Sequence, residues 1–176
     1  GDFNRDGKLD VGLIEFTGQS IGTDRVGISL GVGNGTFALA PTQTGSSVEE
    51  ALRIGNDIDA ADFDLDGDLD LAVTNYASND ISLFINNGNG TLQSHQRYGV
   101  GSTPFLSAAA DFNGDGKSDL ASTIGLPPSG LQNAVVVLRN VGANNRRTLF
   151  DFDGDGRTDI SVFRPSAGGW WDSRSS

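Results

Sequence analysis

The chain has 176 residues and a formal charge of −11 at pH 7, with 36% hydrophobic residues, 25 glycines, one histidine and no cysteine. The missing cysteine excludes a disulfide framework, a thiolate metal site and a thiol nucleophile. The acidity argues against nucleic acid, whose phosphates demand a basic surface, and the longest apolar run, residues 134–138, is strand-sized rather than bilayer-spanning.

In chain order, the first feature is an acidic motif: Asp2, Asn4, Asp6, Gly7 and Asp10. The chain opens without Met and inside this motif, as expected of a piece excised from longer sequence. No signal peptide is visible. Strand-like runs follow at 9–16 and 26–30, and Gly33-Asn34-Gly35 then turns into Thr36-Phe37-Ala38. The second unit is the clearest. Residues 58–61 lead into Asp62-Phe63-Asp64-Leu65-Asp66-Gly67-Asp68-Leu69-Asp70, and 69–74 leave it. A turn at 78–80, a strand at 81–85, an Asn87-Gly88-Asn89-Gly90 turn and a last strand over 91–98 complete four short antiparallel strands. Asn-Gly is the strongest short-range hairpin signal. Residues 26–37 and 81–92 superimpose without a gap.

The third unit has a strand at 105–110, the motif Asp111, Asn113, Asp115, Gly116, Asp119, and strands at 120–124 and 134–138. After Asn140 the plan breaks, and the fourth motif, Asp151, Asp153, Asp155, Gly156, Asp159, arrives early. The motif starts are spaced by 60, 49 and 40 residues, a period that points to propellers or arrays. The spacing predicts three units over 1–145 and the start of a differently spaced, truncated repeat over 146–176.

Oxygen side chains at alternate positions around a glycine-enabled bend suit Ca²⁺, which takes six to eight oxygens; Mg²⁺ keeps several waters and suits such a cage less well. The expected ligands are positions one, three, five and nine, with position seven (Lys8, Asp68, Lys117, Arg157) contributing only its backbone carbonyl. This gives Asp2, Asn4, Asp6, Lys8, Asp10; Asp62, Asp64, Asp66, Asp68, Asp70; Asp111, Asn113, Asp115, Lys117, Asp119; and Asp151, Asp153, Asp155, Arg157, Asp159, for up to four ions. An EF-hand is excluded, because its bidentate Glu at position twelve is replaced by Leu13, Val73, Ser122 and Val162. The bland alternative is a set of turns in which Asp and Asn bond their own backbone, but such a turn needs one Asx rather than four. The motifs hold fifteen of the 23 acids, and four divalent ions would bring −11 to −3. The acidity therefore reads as ligand supply.

Other chemistry is poorly provided. His95 is expected as a solvated surface histidine, no nucleophile-elbow motif accompanies it, and the carboxylates that could form a glycosidase pair are grouped as cation ligands. Gly31-Val32-Gly33-Asn34-Gly35 precedes no helix and reads as a hairpin turn rather than a phosphate loop. The sequons at Asn34 and Asn89 are explained by the same turns. Of Trp170 and Trp171, one is expected to pack inward, and Arg146-Arg147 is too short for a basic patch.

The motif D-x-[DN]-x-D-G-x-x-D followed by strand, hairpin and Gly-Asn-Gly-Thr-Phe/Leu resembles the FG-GAP/VCBS repeats of integrin α-subunit heads and many bacterial extracellular proteins. The stretch from Asp151 through Ile160-Ser161-Val162-Phe163-Arg164-Pro165 to Trp170-Trp171 is similar to a bacterial subtype. The resemblance implies an all-β fold, a β-propeller of four-stranded antiparallel blades with calcium between the first two strands of each, incomplete in this chain. It further implies a non-catalytic, secreted or cell-surface recognition or adhesion module with a protein or carbohydrate ligand, and neither nucleic acid nor membrane insertion. The competing expectation is an accessory or catalytic propeller of a secreted polysaccharide lyase or hydrolase. Strand order predicts that the acidic loops and Asn-Gly turns share one face, while the connections 17–25, 77–80 and 125–133 form the opposite, partner-binding face.

Overall fold

The computed structural model describes residues 1–15, 25–38, 55–125, 134–142, 160–164 and 169–173, the last two stretches by backbone alone. The fourth motif, 151–159, and most of the connections 17–25 and 125–133 lie outside the described residues. Eleven strands are described and every ladder is antiparallel. β1 (Val11–Glu15) pairs with β2 (Arg25–Ser29), while β3 (Gly55–Ala61), β4 (Asp70–Asn75), β5 (Asp80–Phe84) and β6 (Gln96–Gly99) form a four-stranded meander. β7 (Pro104–Ala110), β8 (Asp119–Ile124) and β9 (Ala134–Leu138) begin a third sheet. β10 (Ile160–Arg164) and β11 (Gly169–Ser173) extend it.

Each sheet is one blade, and the blades stack through their flat faces into an open arc of a β-propeller, the sheets not closing into a ring. β6 is shorter than the run that the alternation suggests, because only the Asn86–Leu92 bridge pairs in the first half of that run. β10 pairs with β9, Val162 opposite Val136. The fourth place in the third sheet, left open by the sequence after Asn140, is thus taken by a strand from beyond residue 145. Trp171 lies opposite Val162 and Trp170 opposite Phe163 in the β10–β11 ladder.

Side chains alternate across each blade, so the strands of the second blade serve two cores. Leu71, Val73 and Phe84 of the second blade meet Phe3, Val26 and Ile28 of the first. From the other face Ala72, Ile81 and Leu83 meet Leu120, Ile124, Val136 and Leu138 of the third. The aromatic at position two of the first and second acidic motifs is the wedge between blades. Phe3 is 1% exposed and Phe63 0% exposed, each covered by the following blade, whereas Phe112 is 51% exposed. The ladder registers make Ala121, Val135 and Val137 the counterparts of Ala72, Ile81 and Leu83. The second-blade residues are buried and their third-blade counterparts only partly so. The far face of the third blade is therefore uncovered among the described residues, with Leu106 exposed on it as well.

A polar contact joins the inner strands of the second and third blades. Ser107 donates its backbone N–H to Asp57 Oδ2 (2.7 Å) and its hydroxyl to Asp59 Oδ2. Burial first, then the neighbouring Asp57 charge, pushes the Asp59 carboxyl above its usual range. The folded chain thus holds that proton more firmly than the unfolded one. The group favours folding at low pH, and that contribution is lost as pH rises through the raised folded value.

Two outcomes are expected. Phe63→Ala should destabilise by about 3–5 kcal/mol, as large aromatic truncations in cores do. Phe112→Ala, the same residue at the same motif position, should stay within about 0.5 kcal/mol, both read from urea unfolding. In thermal melts across a pH series, Asp59→Asn should gain on the unsubstituted chain as pH rises from the ordinary carboxylate range to neutrality.

Candidate metal centre

Each described acidic motif is a compact bend whose carboxylates organise its own backbone. In the second loop Asp62 accepts N–H bonds from Leu65 (2.7 Å) and Gly67 (2.9 Å), Asp64 from Asp66 (3.2 Å), and Asp66 from Asp68 (2.8 Å). The first loop repeats the scheme: Asp6 and Gly7 donate to Asp2, Asp6 also to Asn4, and Lys8 to Asp6. So does the third, where Gly114, Asp115 and Gly116 donate to Asp111, Asp115 also to Asn113, and Lys117 to Asp115. Two left-handed residues make the bend. Position six has φ of 82°, 90° and 84° at Gly7, Gly67 and Gly116, which glycine adopts without penalty. Position four is also left-handed, at Arg5 (59°), Leu65 (69°) and Gly114 (79°). For Leu65 that conformation costs on the order of 1 kcal/mol.

The position-nine carboxylates of the three described loops are buried. Asp10 Oδ2 accepts from Phe3 N (2.8 Å) and Oδ1 from Gly31 N (2.7 Å). Asp70 takes Phe63 N and Asn86 N (both 2.9 Å), and Asp119 takes Phe112 N (3.1 Å) and Asn140 N (2.7 Å). Each ties the start of its loop to a residue just past β2, β5 or β9, so the loop and the turn that follows that strand stand at one end of the blade. Asn86 and Asn140 then reach back to the preceding blade, donating from Nδ2 to the carbonyls of Phe3 and Phe63, each at 2.7 Å. Neither amide was singled out from sequence, since their partners lie more than 70 residues away. Their only visible trace is the repeated Asn-x-Gly that closes both third strands.

Asp62, Asp64 and Asp70 bring a carboxylate oxygen each to within 4.8 Å of one another, the one such acidic group among the described residues. Burial, then neighbouring like charges, pushes Asp64 upward. Burial also carries Asp70 to about 6, against its two backbone donors. Loops one and three differ at position seven. Lys8 Nζ reaches Asp6 Oδ2 and Lys117 Nζ reaches Asp115 Oδ2, each at 2.9 Å. These ammonium groups are the leading cause that holds Asp6 and Asp115 below the usual carboxylate range. The sequence reading gave position seven no role for its side chain. In the second loop that place is Asp68, almost fully buried and ion-paired with Arg5 of the first loop.

His95 is not the solvated surface histidine that its polar neighbourhood suggested. It is half-buried with its ring 5.1 Å from that of Phe84, and burial, then Arg97, lowers its pKa. Arg97 instead pairs with Asp80 across β5 and β6.

The family model for the FG-GAP-like repeat matches this chain twice, over residues 2–73 and 62–122. The chain belongs to the FG-GAP-like repeat family. Each match runs from one acidic motif through the next and ends inside the strand that leaves it, β4 or β8. Neither the curated proteins nor the solved structures contain a match to it. FG-GAP repeats are generally non-catalytic recognition modules and typically occur in extracellular proteins; no helix among the described residues is long and apolar enough to cross a membrane.

The position-nine carboxylate is expected to matter more for folding than its neighbours. In EDTA, Asp70→Ala strands two buried backbone donors and should cost about 2–4 kcal/mol. Asp62→Ala, whose bonds are solvent-exposed, should cost under about 1 kcal/mol; urea unfolding separates the two.

Proposed function

We propose that this FG-GAP chain is a calcium-stabilised β-propeller module of a secreted or cell-surface protein, non-catalytic, which presents a rigid surface for protein or glycan recognition. The carrying observation is the convergence of Asp62, Asp64 and Asp70. The donor set is all oxygen, which suits a hard cation of flexible coordination, and it contains neither the imidazole nor the thiolate that zinc favours. Asp66 and the Asp68 backbone carbonyl stand in the same bend to complete it. The first and third loops supply the corresponding Asp2, Asn4, Asp6, Asp10 and Asp111, Asn113, Asp115, Asp119.

The chain's own residues do the rest. Gly67 allows the bend, and the backbone bonds to Asp62 and Asp64 hold their carboxylates in place before any ion arrives. Asp70 joins loop to blade. Five acids stand within nine residues of the second loop, so the ion-free loop carries a repulsion that calcium removes when bound, and binding free energy becomes folding free energy. Extracellular calcium modules work near 10⁻⁴–10⁻³ M, which favours an outside location. Recognition is assigned to the end opposite the acidic loops, where connection length varies from one repeat to the next.

Calorimetric titration of CaCl₂ into the 176-residue chain, paired with melts in calcium and in EDTA, tests the reading. Saturable heat and a higher melting temperature are expected. At calcium roughly 100-fold above Kd one site stabilises by about 2.7 kcal/mol. No heat and an unmoved melt would overturn it. A glycan array with and without EDTA tests the carbohydrate branch.

A further inference from the structure

We propose that Arg5, carried by the first acidic loop, is a positioning residue for the second: it fixes the backbone and the extra carboxylate of that loop so that its oxygens are held ready for a cation. The inference rests on the calcium reading above.

Three observations carry it. The Arg5 guanidinium spans two groups of the neighbouring repeat, with Nη2 donating to the Asp66 carbonyl at 3.0 Å and Nε pairing with Asp68 Oδ1. It lies over the bend glycine itself, since a Cβ at Gly67 would meet Arg5 Nη2 at 3.0 Å. And the second loop lacks what the other two have. Lys8 and Lys117 brace their own loops through the position-five carboxylates Asp6 and Asp115, whereas Asp68 adds a further negative charge at that place. Arg5 supplies the brace from outside. It does so through the Asp66 carbonyl and the Asp68 side chain, leaving the Asp66 carboxylate without an ammonium on it. The fork geometry suits arginine, whose planar guanidinium reaches a carbonyl and a carboxylate at once; a lysine is a single point charge.

The two possible roles of Arg5 predict opposite signs. As a mere nearby cation it would repel Ca²⁺, and its removal would tighten the second loop. As a positioning residue its removal loosens the loop and weakens binding, in the way that outer-shell partners of metal ligands do.

The test is calcium titration of the full ¹⁵N-labelled chain, following the amide signals of Gly67 and Gly116. These amides donate to Asp62 and Asp111 in the second and third loops. Arg5→Ala is expected to weaken the calcium response of Gly67 about tenfold while that of Gly116 stays unchanged. Arg5→Lys, which keeps the charge and loses the fork, should fall with it; it also stands in if the alanine variant does not fold. A tightened or unmoved Gly67 response in both variants, with calcium still binding the unsubstituted chain, would overturn the role of Arg5 alone. Equal weakening at Gly67 and Gly116 would overturn it too, showing a general loss of structure. No calcium response of Gly67 in the unsubstituted chain would overturn the ion reading and this inference together.

Discussion

The arrangement depends on a buried carboxylate at the ninth position of each of the three described loops. Asp10, Asp70 and Asp119 each accept two backbone N–H groups, one from the start of the loop and one from just past β2, β5 or β9. A hairpin meander has no intrinsic reason to hold its first connection against its third. The carboxylate gives it one, because amide donors removed from water must find acceptors. With that corner fixed, Asp62 and Asp64 are delivered beside Asp70 rather than left to solvent, and the aromatic at position two is aimed at the next blade. Asp70 is buried where it sits, and that burial pushes its carboxyl up to about 6 against its two backbone donors.

Much of the fold was legible because the repeat is written in local terms. Alternating apolar residues, Asn-Gly turns and the acidic motif located the strands of the second and third blades to within a few residues, and they identified the repeat family. The grouping of Asp62, Asp64 and Asp70 was readable for the same reason, the three being spaced along nine consecutive residues. What escaped depends on distance along the chain. The amides of Asn86 and Asn140 were not singled out, since nothing near them in sequence announces the Phe3 and Phe63 carbonyls. Arg5 was given no role and Asp68 only a backbone one, and only stacking of the blades makes them a pair. His95 was misread because hydrophilic neighbours in a strand say nothing about an aromatic on the adjacent strand.

The blades are held by two kinds of contact with different consequences. Apolar packing between faces is generous and nonspecific: Leu71, Val73 and Phe84 would accept many shapes of similar volume. The polar contacts are few and directional. An amide to a phenylalanine carbonyl, a serine between two aspartates and a guanidinium across two loops each fix how far one blade may slide over the next. Together they convert a stack of sheets into a defined arc, and the described residues of the third blade show the same apolar surface without its cover.

The amide clasp runs one way only. Each repeat is finished by its successor: Phe3 awaits Asn86, 83 residues on, and Phe63 awaits Asn140, 77 residues on. At ribosomal speeds of about 5–20 residues per second, a newly emerged wedge aromatic stays unsheltered for on the order of ten seconds before its lid has been translated. A protein assembled this way matures from its N-terminal side like a zip, each tooth held by the one that arrives after it.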